Sequence, residues 1–582
     1  MSRVDGMNQP TASIHRRLLP NIWDLLVLLI AVGVLVALAD GAREAIHESL
    51  AQLEQAPLSL DPWQLPEYAL RTTLRMLIAL ALSLLFTLIY GTLAAKSRRA
   101  ELLLVPTLDI LQSVPILGFL SFTVAGFLAL FPGSALGAEC AAIFAIFTSQ
   151  AWNMTFSFYQ SLRGVPRDLI EVSKGFQLSA WQRFWRLEVP YATPSLVWNM
   201  MMSMSGGWFF VVAAEAITVG NQTLTLPGIG SYVAAAIVQK DLSAIAWALL
   251  AMLLVIVAYD QLLFRPIVAW ADKFRLDQTA GQHSPRSWLL EWMRRTRAVA
   301  SLLSPLRRGW LWLRTRRLDV RSERLPLPTI SVKTNRWIDR LWLAAVIAGA
   351  LYSLWAIVAY ASMTLALGDA FTALGFGFIT FARVLLLVAL TSLVWVPIGV
   401  WIGLHPRWAD RVQPVAQFLA AFPANLMFPV AVVGIVHFNA HPDIWLSPLM
   451  VLGTQWYILF NVIAGARAIP NDLLEAAANL RLSRWLWWRK FILPAIFPAY
   501  LTGAVTATGG SWNASIVAEY VSWGNTQLTA HGLGAYIAKA TEAGDFPRIV
   551  LGVTTMSMFV ILCNRLLWRP LYRYAEQRLR ID

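Results

Sequence analysis

A stretch of 32 residues occurs twice in this chain, and the duplication constrains the fold more than any other feature. Residues 163–194 read RGVPRDLIEVSKGFQLSAWQRFWRLEVPYATP, and residues 467–498 read RAIPNDLLEAAANLRLSRWLWWRKFILPAIFP. Arg163, Pro166, Asp168, Glu171, Ser179, Trp181, Pro190 and Pro194 align at one constant separation with Arg467, Pro470, Asp472, Glu475, Ser483, Trp485, Pro494 and Pro498. Each copy is polar and helix-prone, yet each sits between long apolar runs. That placement suits a docking element on the cytosolic face of a membrane protein.

Composition supports the membrane reading. Of 582 residues, 57% are hydrophobic and 14% charged, whereas a soluble domain carries roughly a quarter charged residues. The net charge of +14 would suggest nucleic acid on a soluble chain. Here Arg and Lys concentrate in alternate loops, so the positive-inside bias accounts for the excess and no nucleic-acid partner is expected. The two cysteines, Cys140 and Cys563, fall in or near apolar runs and indicate neither a disulfide framework nor a metal site. The first apolar run, residues 22–39, lacks a small-residue cleavage site and reads as a retained span.

A helix needs about 20 apolar residues to cross the hydrocarbon. By that measure each half is expected to hold six spans. They fall near residues 22–40, 70–95, 102–131, 137–162, 190–220 and 243–266, then 338–360, 374–404, 413–436, 443–465, 494–522 and 547–568. The basic loop around Lys96, Arg98 and Arg99 is placed inside, and the acidic segment with Glu44, Glu48, Glu54 and Asp61 outside, which makes both termini cytosolic. The expected organisation is a tail, first span and outer segment over 1–69, a first permease domain over 70–270, a basic connector over 271–337, a further span over 338–375, and a second domain over 376–582. Trp288, Leu289, Trp292 and Trp312 interleave with Arg294, Arg295, Arg314 and Arg316 in the connector, a pattern for a helix lying among inner headgroups. A plain tether that joins the two halves and obeys topology is the preferred reading.

The duplication extends well past the docking stretch. Upstream, at a slightly different separation, Arg75, Gly91, Pro106 and Pro115 match Arg383, Gly399, Pro414 and Pro423. Downstream, Trp208, Glu215, Gly228, Gly230, Tyr232 and Asp241 match Trp512, Glu519, Gly532, Gly534, Tyr536 and Asp545. Both copies have the same expected orientation, so the repeat is parallel about an axis along the membrane normal.

Within the docking stretch, Pro166 and Pro470 suit the first position of a helix, with Asp168 and Asp472 in its first turn. The helix would run through Glu171 or Glu475 and break near Gly175 or Asn479, residue types that tolerate positive φ. An amphipathic stretch around Trp181 or Trp485 follows, and Pro190 or Pro494 is expected to start the next span. A helix-turn-helix knob of this kind fits a partner's groove. An ordinary interfacial loop is the alternative, and two copies at the same topological place weigh against it.

These residues resemble the integral permease subunits of ATP-binding-cassette importers. That family's signature is Glu-Ala-Ala, a Gly six residues after the Glu, and a hydrophobic-x-Leu-Pro close. The second copy keeps Glu475-Ala476-Ala477 and Ile492-Leu493-Pro494, with Pro494 19 residues after the Glu. The first keeps Glu171 and Pro190 at that interval but has Val172-Ser173 for the alanines, and both depart at the Gly, which is Gln177 or Arg481. The resemblance covers about 70–266 and 376–570. In its details it is most similar to the nitrate, sulfonate, taurine and bicarbonate group, as a duplicated form. It implies an all-α membrane protein of type I importer permease fold, with about twelve transmembrane helices in two tandem halves. Each docking helix would sit in a cleft of one of two ATPase subunits, and a periplasmic binding protein would deliver a small anion to a bacterial inner membrane. No Gly-x-x-x-x-Gly-Lys-Ser/Thr loop occurs in the chain, so ATP and Mg are expected on the separate ATPase chains and catalysis is not expected here.

Polar residues in spans are costly and often mark a pathway. The candidates are Gln112, Ser113, Asn153, Gly206, Gly207, Trp208 and Glu215, with Asn425, Trp456, Asn461, Gly509, Gly510, Trp512, Asn513 and Glu519 in the second half. The glycines could permit close helix approach or a local break, and the tryptophans could form a gate. The glutamates have a second reading, hydrogen-bonded to the following loop near the outer surface. Arg75 and Arg383 could attract an anion or simply snorkel. A twelve-span secondary transporter shares the parallel halves and basic connector, but here the helical cytosolic loop lies between the fourth and fifth spans. A membrane enzyme finds no paired carboxylates, histidine cluster or nucleophile arrangement to support it.

Overall fold

The structure is a computed structural model and describes residues 58–219, 222–274, 287–295, 304–316, 332–481 and 483–578. Helix dominates, since backbone groups inside a bilayer find hydrogen-bond partners only within the helix itself. Among the described residues six helices are long and apolar enough to cross a membrane: Pro62–Lys96, Ala180–Glu215, Leu242–Phe274, Leu367–Leu404, Arg484–Ala518 and Phe546–Ala575. Two bent pairs raise the number to eight, against the twelve expected. The expected span at 22–40 and parts of the basic connector lie outside the described residues.

Prolines account for two of the three broken runs. The run expected as one span over 102–131 is two helices bent by 103°. Val114 is extended at φ −77°, ψ 127°, immediately before Pro115, as the residue before a proline prefers. Pro423 divides the matched run, where Pro406–Ala421 ends and Ala424–Met427 begins a new turn. The run at 443–465 is also in two pieces, bent by 44°.

The fifth span of each half ends sooner than expected. Its helix stops at Glu215 or Ala518, and an antiparallel hairpin follows. Ala216–Val219 pairs with Gln222–Thr225, and Tyr520–Trp523 with Thr526–Thr529. These hairpins amend the all-α expectation: Ile217, Val219, Val521 and Trp523 read as a continuation of the apolar run. The helix opening the sixth span is then capped by Asp241 or Asp545, whose carboxylate accepts the N–H of Ala244 or Arg548 at 3.1 Å. Hydrogen bonds from the Ser243 hydroxyl and the Ala244 N–H hold the Asp241 carboxyl below its ordinary range.

The described residues form two compact units. The smaller comprises Val165–Pro194 and the described residues between 259 and 316, the larger the rest of the described chain. In the larger unit, Leu65–Lys96 packs along Leu136–Arg163, and Leu367–Leu404 packs on Gln455–Arg467, which packs in turn on Leu493–Ala518. Small residues set these approaches. A Cβ on Gly91 would lie 2.9 Å from the Phe158 ring, and one on its partner in the repeat, Gly399, 2.8 Å from Val462. A Cβ on Gly403 would lie 2.6 Å from the Ala466 Cβ and 2.8 Å from the Ile463 carbonyl oxygen. Backbone cannot retreat as a side chain can, so Gly403→Val should cost about 1–3 kcal/mol and lower the melting temperature in detergent. Gly434→Ala, where a Cβ meets nothing within 4 Å, should leave it unchanged.

Candidate docking elements and buried charge networks

Each docking helix begins immediately after its proline, as Arg167–Gly175 and Asn471–Asn479. Pro166 and Pro470 thus sit one residue outside the expected first position, and Asp168 and Asp472 fall in the first turn as expected. Asp168, Glu171, Gly175, Asp472, Glu475, Ala476 and Asn479 are exposed, and only Ala477 faces inward. The turn differs from expectation. Gly175 and Asn479 are the last helical residues, and positive φ appears two residues on, at Gln177 (51°) and Arg481 (46°).

The hydrogen bonds give the reason. The N–H of Gln177 donates to Lys174 at 2.9 Å and that of Leu178 to Ser173 at 3.1 Å. This double closure requires the left-handed residue just beyond the helix cap, which is Gln177. Its partner Arg481 donates to Ala478 at 3.0 Å.

Beyond the turn, Ser179 and Ser483 cap the next helix. That helix does not stop at the proline. Ala180–Glu215 and Arg484–Ala518 are each continuous, so Pro190 and Pro494 do not start a span. A π-helical turn, Phe184–Glu188 or Trp487–Ile492, precedes each proline, with the Val189 N–H reaching Phe184 and the Leu493 N–H reaching Trp488. The wider turn makes room for a ring that has no N–H to give. Trp181 is half-buried against Trp185, whereas Trp485 is 71% exposed.

The far end of each fifth-span helix carries a buried carboxylate in a network that repeats residue for residue. Glu215, fully buried, accepts the Thr72 hydroxyl at 2.7 Å, the Arg75 guanidinium at 2.7 Å and the Gly230 N–H at 2.7 Å. Thr72 Oγ1 in turn accepts the Ile229 N–H at 3.1 Å, and Arg75 donates to the Pro227 carbonyl at 2.9 Å. In the second half Glu519 accepts from Thr380 at 3.0 Å, Arg383 at 2.7 Å and Gly534 at 2.8 Å. There Thr380 accepts from Leu533 at 2.8 Å and Arg383 donates to His531 at 3.1 Å. Each carboxylate therefore closes the N-terminus of the following helix, where free N–H groups and the helix dipole favour negative charge. A Cβ on Gly228 or Gly532 would fall 2.3 Å from the carboxylate it faces.

The glutamates thus follow their second reading, bonded to the loop and helix that follow. Neither arginine snorkels: Arg75 is 3% and Arg383 12% exposed. Sequence reasoning missed Thr72 and Thr380, and also Glu139 and Asp443, each pair occupying the same place in the repeat. Arg75 grips Glu139 with two bonds of 2.6 Å. The shorter Asp443 stands 3.6 Å from Arg383 and instead accepts the His531 N–H at 2.6 Å. A lone acidic residue opening each fourth span was the available signal.

The remaining pathway candidates divide. Trp208 and Trp512 are each 1% exposed, and Trp512 stacks on Phe381 and Phe559, so both are core residues and not a gate. The Trp456 ring packs tilted against Trp395 with centroids 5.1 Å apart, and Asn461 turns back onto the Tyr457 carbonyl. Gly207 and Gly510 are close-packed, whereas Gly206 and Gly509 have room. Gln112 donates to Asn153 at 3.2 Å in an exposed pair. Asn513 and Asn425 link the halves: Asn513 accepts the Ile116 N–H at 2.7 Å, and Asn425 donates to the Phe209 carbonyl at 3.1 Å.

Two outcomes follow from this geometry. Arg75→Ala strands two buried carboxylates and should cost roughly 3–5 kcal/mol, seen as lower thermal stability in detergent. Arg383→Ala should cost less, because Asp443 is 27% exposed and keeps His531. Gln177→Gly should raise stability by about 1 kcal/mol, because glycine adopts the left-handed turn without penalty, with docking retained in a pull-down.

Comparison with known proteins agrees with this architecture. Part of the chain is 29% identical over 177 residues to the bicarbonate transport system permease protein CmpB of Synechococcus elongatus, covering 30% of this chain and 60% of that protein. It is 26% identical over 179 residues to the nitrate import permease protein NrtB of Leptolyngbya laminosa, with the same two shares, 30% and 60%. It is also 32% identical over 163 residues to the riboflavin transport system permease protein RibX of Chloroflexus aurantiacus, covering 27% of this chain and 55% of that protein. The chain therefore spans a little over half the length of these relatives. Two separate stretches, residues 87–264 and 395–581, each match the family described as binding-protein-dependent transport system inner membrane component. Together they take in more than half of the chain, which belongs to that family and carries its permease domain twice.

Proposed function

We propose that this chain is the two-halved channel-forming subunit of an ATP-driven importer of a small anion, working by alternating access. The observation that carries the reading is the pair of exposed docking helices, Arg167–Gly175 and Asn471–Asn479, each joined through a left-handed turn to a helix that continues as the fifth span. Such an element receives a push at one end and delivers it as a rigid rod. Two ATPase subunits, holding ATP and Mg between them, would grip the two elements through Asp168, Glu171, Asp472 and Glu475. Their closure would shift the fifth spans at the Asn513–Ile116 and Asn425–Phe209 links between the halves. A periplasmic binding protein would supply the cargo. Nitrate, bicarbonate, a sulfonate such as taurine, or a small organic acid fits the relatives whose names include bicarbonate and nitrate. The chain would lie in a bacterial inner membrane with both termini and both docking elements cytosolic.

The docking acids provide the test. In the affinity-purified chain, Glu171→Arg or Glu475→Arg should each lower the MgATP hydrolysis that co-purifies, and the double substitution should abolish it with the chain still folded and in the membrane. Full hydrolysis with the double substitution would end the importer reading. Uptake driven by a proton gradient with no ATPase attached would replace it with a secondary transporter.

A further inference from the structure

The basic connector makes a contact that the docking reading does not use. Within the smaller unit, its helix Ser304–Thr315 lies against the short helix Ala180–Arg183 of the first docking element. The Gln182 side chain joins the two. Its Oε1 accepts the Ser179 N–H at 3.1 Å, completing the capping box of one helix. Its Nε2 donates to the Thr315 carbonyl at 2.9 Å. Thr315 ends its helix, where the last carbonyls have no intrahelical donor. One amide, only 6% exposed, thus finishes the start of one helix and the end of another. Towards the other end of the connector, the Trp288 indole N–H donates to Gln261 at 3.3 Å, in the π-helical turn of the sixth-span helix.

The second copy cannot repeat this. Its matched residue is Leu486, 47% exposed, which has no amide to offer. The Ser483 hydroxyl there accepts the Leu486 N–H at 3.5 Å.

We infer that the connector helix Ser304–Thr315 is a built-in third member of the first docking element, clamped there by Gln182, so that the chain offers its two ATPases unequal sites. The face the clamp adds is cationic and aromatic. Arg308, Trp312 and Arg316 are exposed, and the Arg316 guanidinium lies 4.0 Å over the Trp312 ring. An ATPase subunit with an acidic rim beside its docking cleft fits that face. The clamp stands on the contacts above; the inequality of the two sites rests also on the importer reading.

Gln182 has two jobs, and two substitutions separate them. Gln182→Glu keeps the acceptor of a capping box but loses the donor to Thr315, and Gln182→Leu loses both. In the full-length chain in detergent, both should speed tryptic cleavage after Arg314 and Arg316 by roughly tenfold, the equivalent of about 1.4 kcal/mol. Leu486→Gln should not change it. Where ATPase co-purifies with the chain, Gln182→Glu should lower the retained subunit by about half, because one of two sites is affected, with Leu486→Gln again silent. Unchanged cleavage in Gln182→Glu and Gln182→Leu would overturn the clamp. Faster cleavage with full ATPase retention would overturn the unequal sites. Failure of the unsubstituted chain to retain any ATPase would sink the importer reading, while the cleavage rates would still decide the clamp.

Discussion

Two carboxylates buried at the C-terminal ends of the fifth-span helices dictate much of the arrangement around them. An ionised group taken out of water costs several kcal/mol unless it is paired and fully hydrogen-bonded. Glu215 and Glu519 meet that demand with an arginine, a threonine and the N-terminus of the next helix. Each network therefore pins four segments at one point: the helix carrying Arg75 or Arg383, the start of the fourth span, the end of the fifth, and the helix after the hairpin. Gly228 and Gly532 are required where the chain passes against the carboxylate, because a Cβ would occupy its space. The need is for room, since both residues are extended, with φ of 178° and 176°.

Within the larger unit, the second network lies at one end of a continuous helix. In the second half, Arg484–Ala518 links the exposed turn at Arg481 to the pinned carboxylate at Glu519, with Asn513 on the way. The π-helical turn before Pro494 is the place where its backbone bonding is already loosened. The same turn recurs before Pro190, and further π-helical turns interrupt the sixth-span helices at Asp260–Phe264 and Asn564–Trp568. The duplication thus preserves irregularities as faithfully as it preserves helices.

Where the halves differ, the difference traces to single residues. Glutamate at 139 reaches Arg75 with both oxygens, and aspartate at 443 falls short and turns to His531. His531 stands where the first half has Pro227, and its ring opens the second network to the surface. Gln182 against Leu486 is a second case, giving the first docking element a partner within the chain.

The amino-acid order alone settled the membrane class, the duplication and the short helix after each of Pro166 and Pro470, and it matched Arg75, Glu215 and Gly230 to Arg383, Glu519 and Gly534, because those properties rest on composition, periodicity and repeated spacing. It also placed Pro115 and Pro423, though not the sharp bends they cause. Arg75 read as a snorkelling side chain because nothing local announces a carboxylate 64 or 140 positions away. The left-handed turn was sought at Gly175 and Asn479 because residue type pointed there, while the pattern of closing hydrogen bonds put it at Gln177 and Arg481. Trp208 and Trp512 looked like gates because an aromatic in a span has the same sequence signature whether it lines a path or fills a core. Tertiary structure decided all of these, since burial and pairing depend on which segments meet, and that is a property of packing and not of any window along the chain.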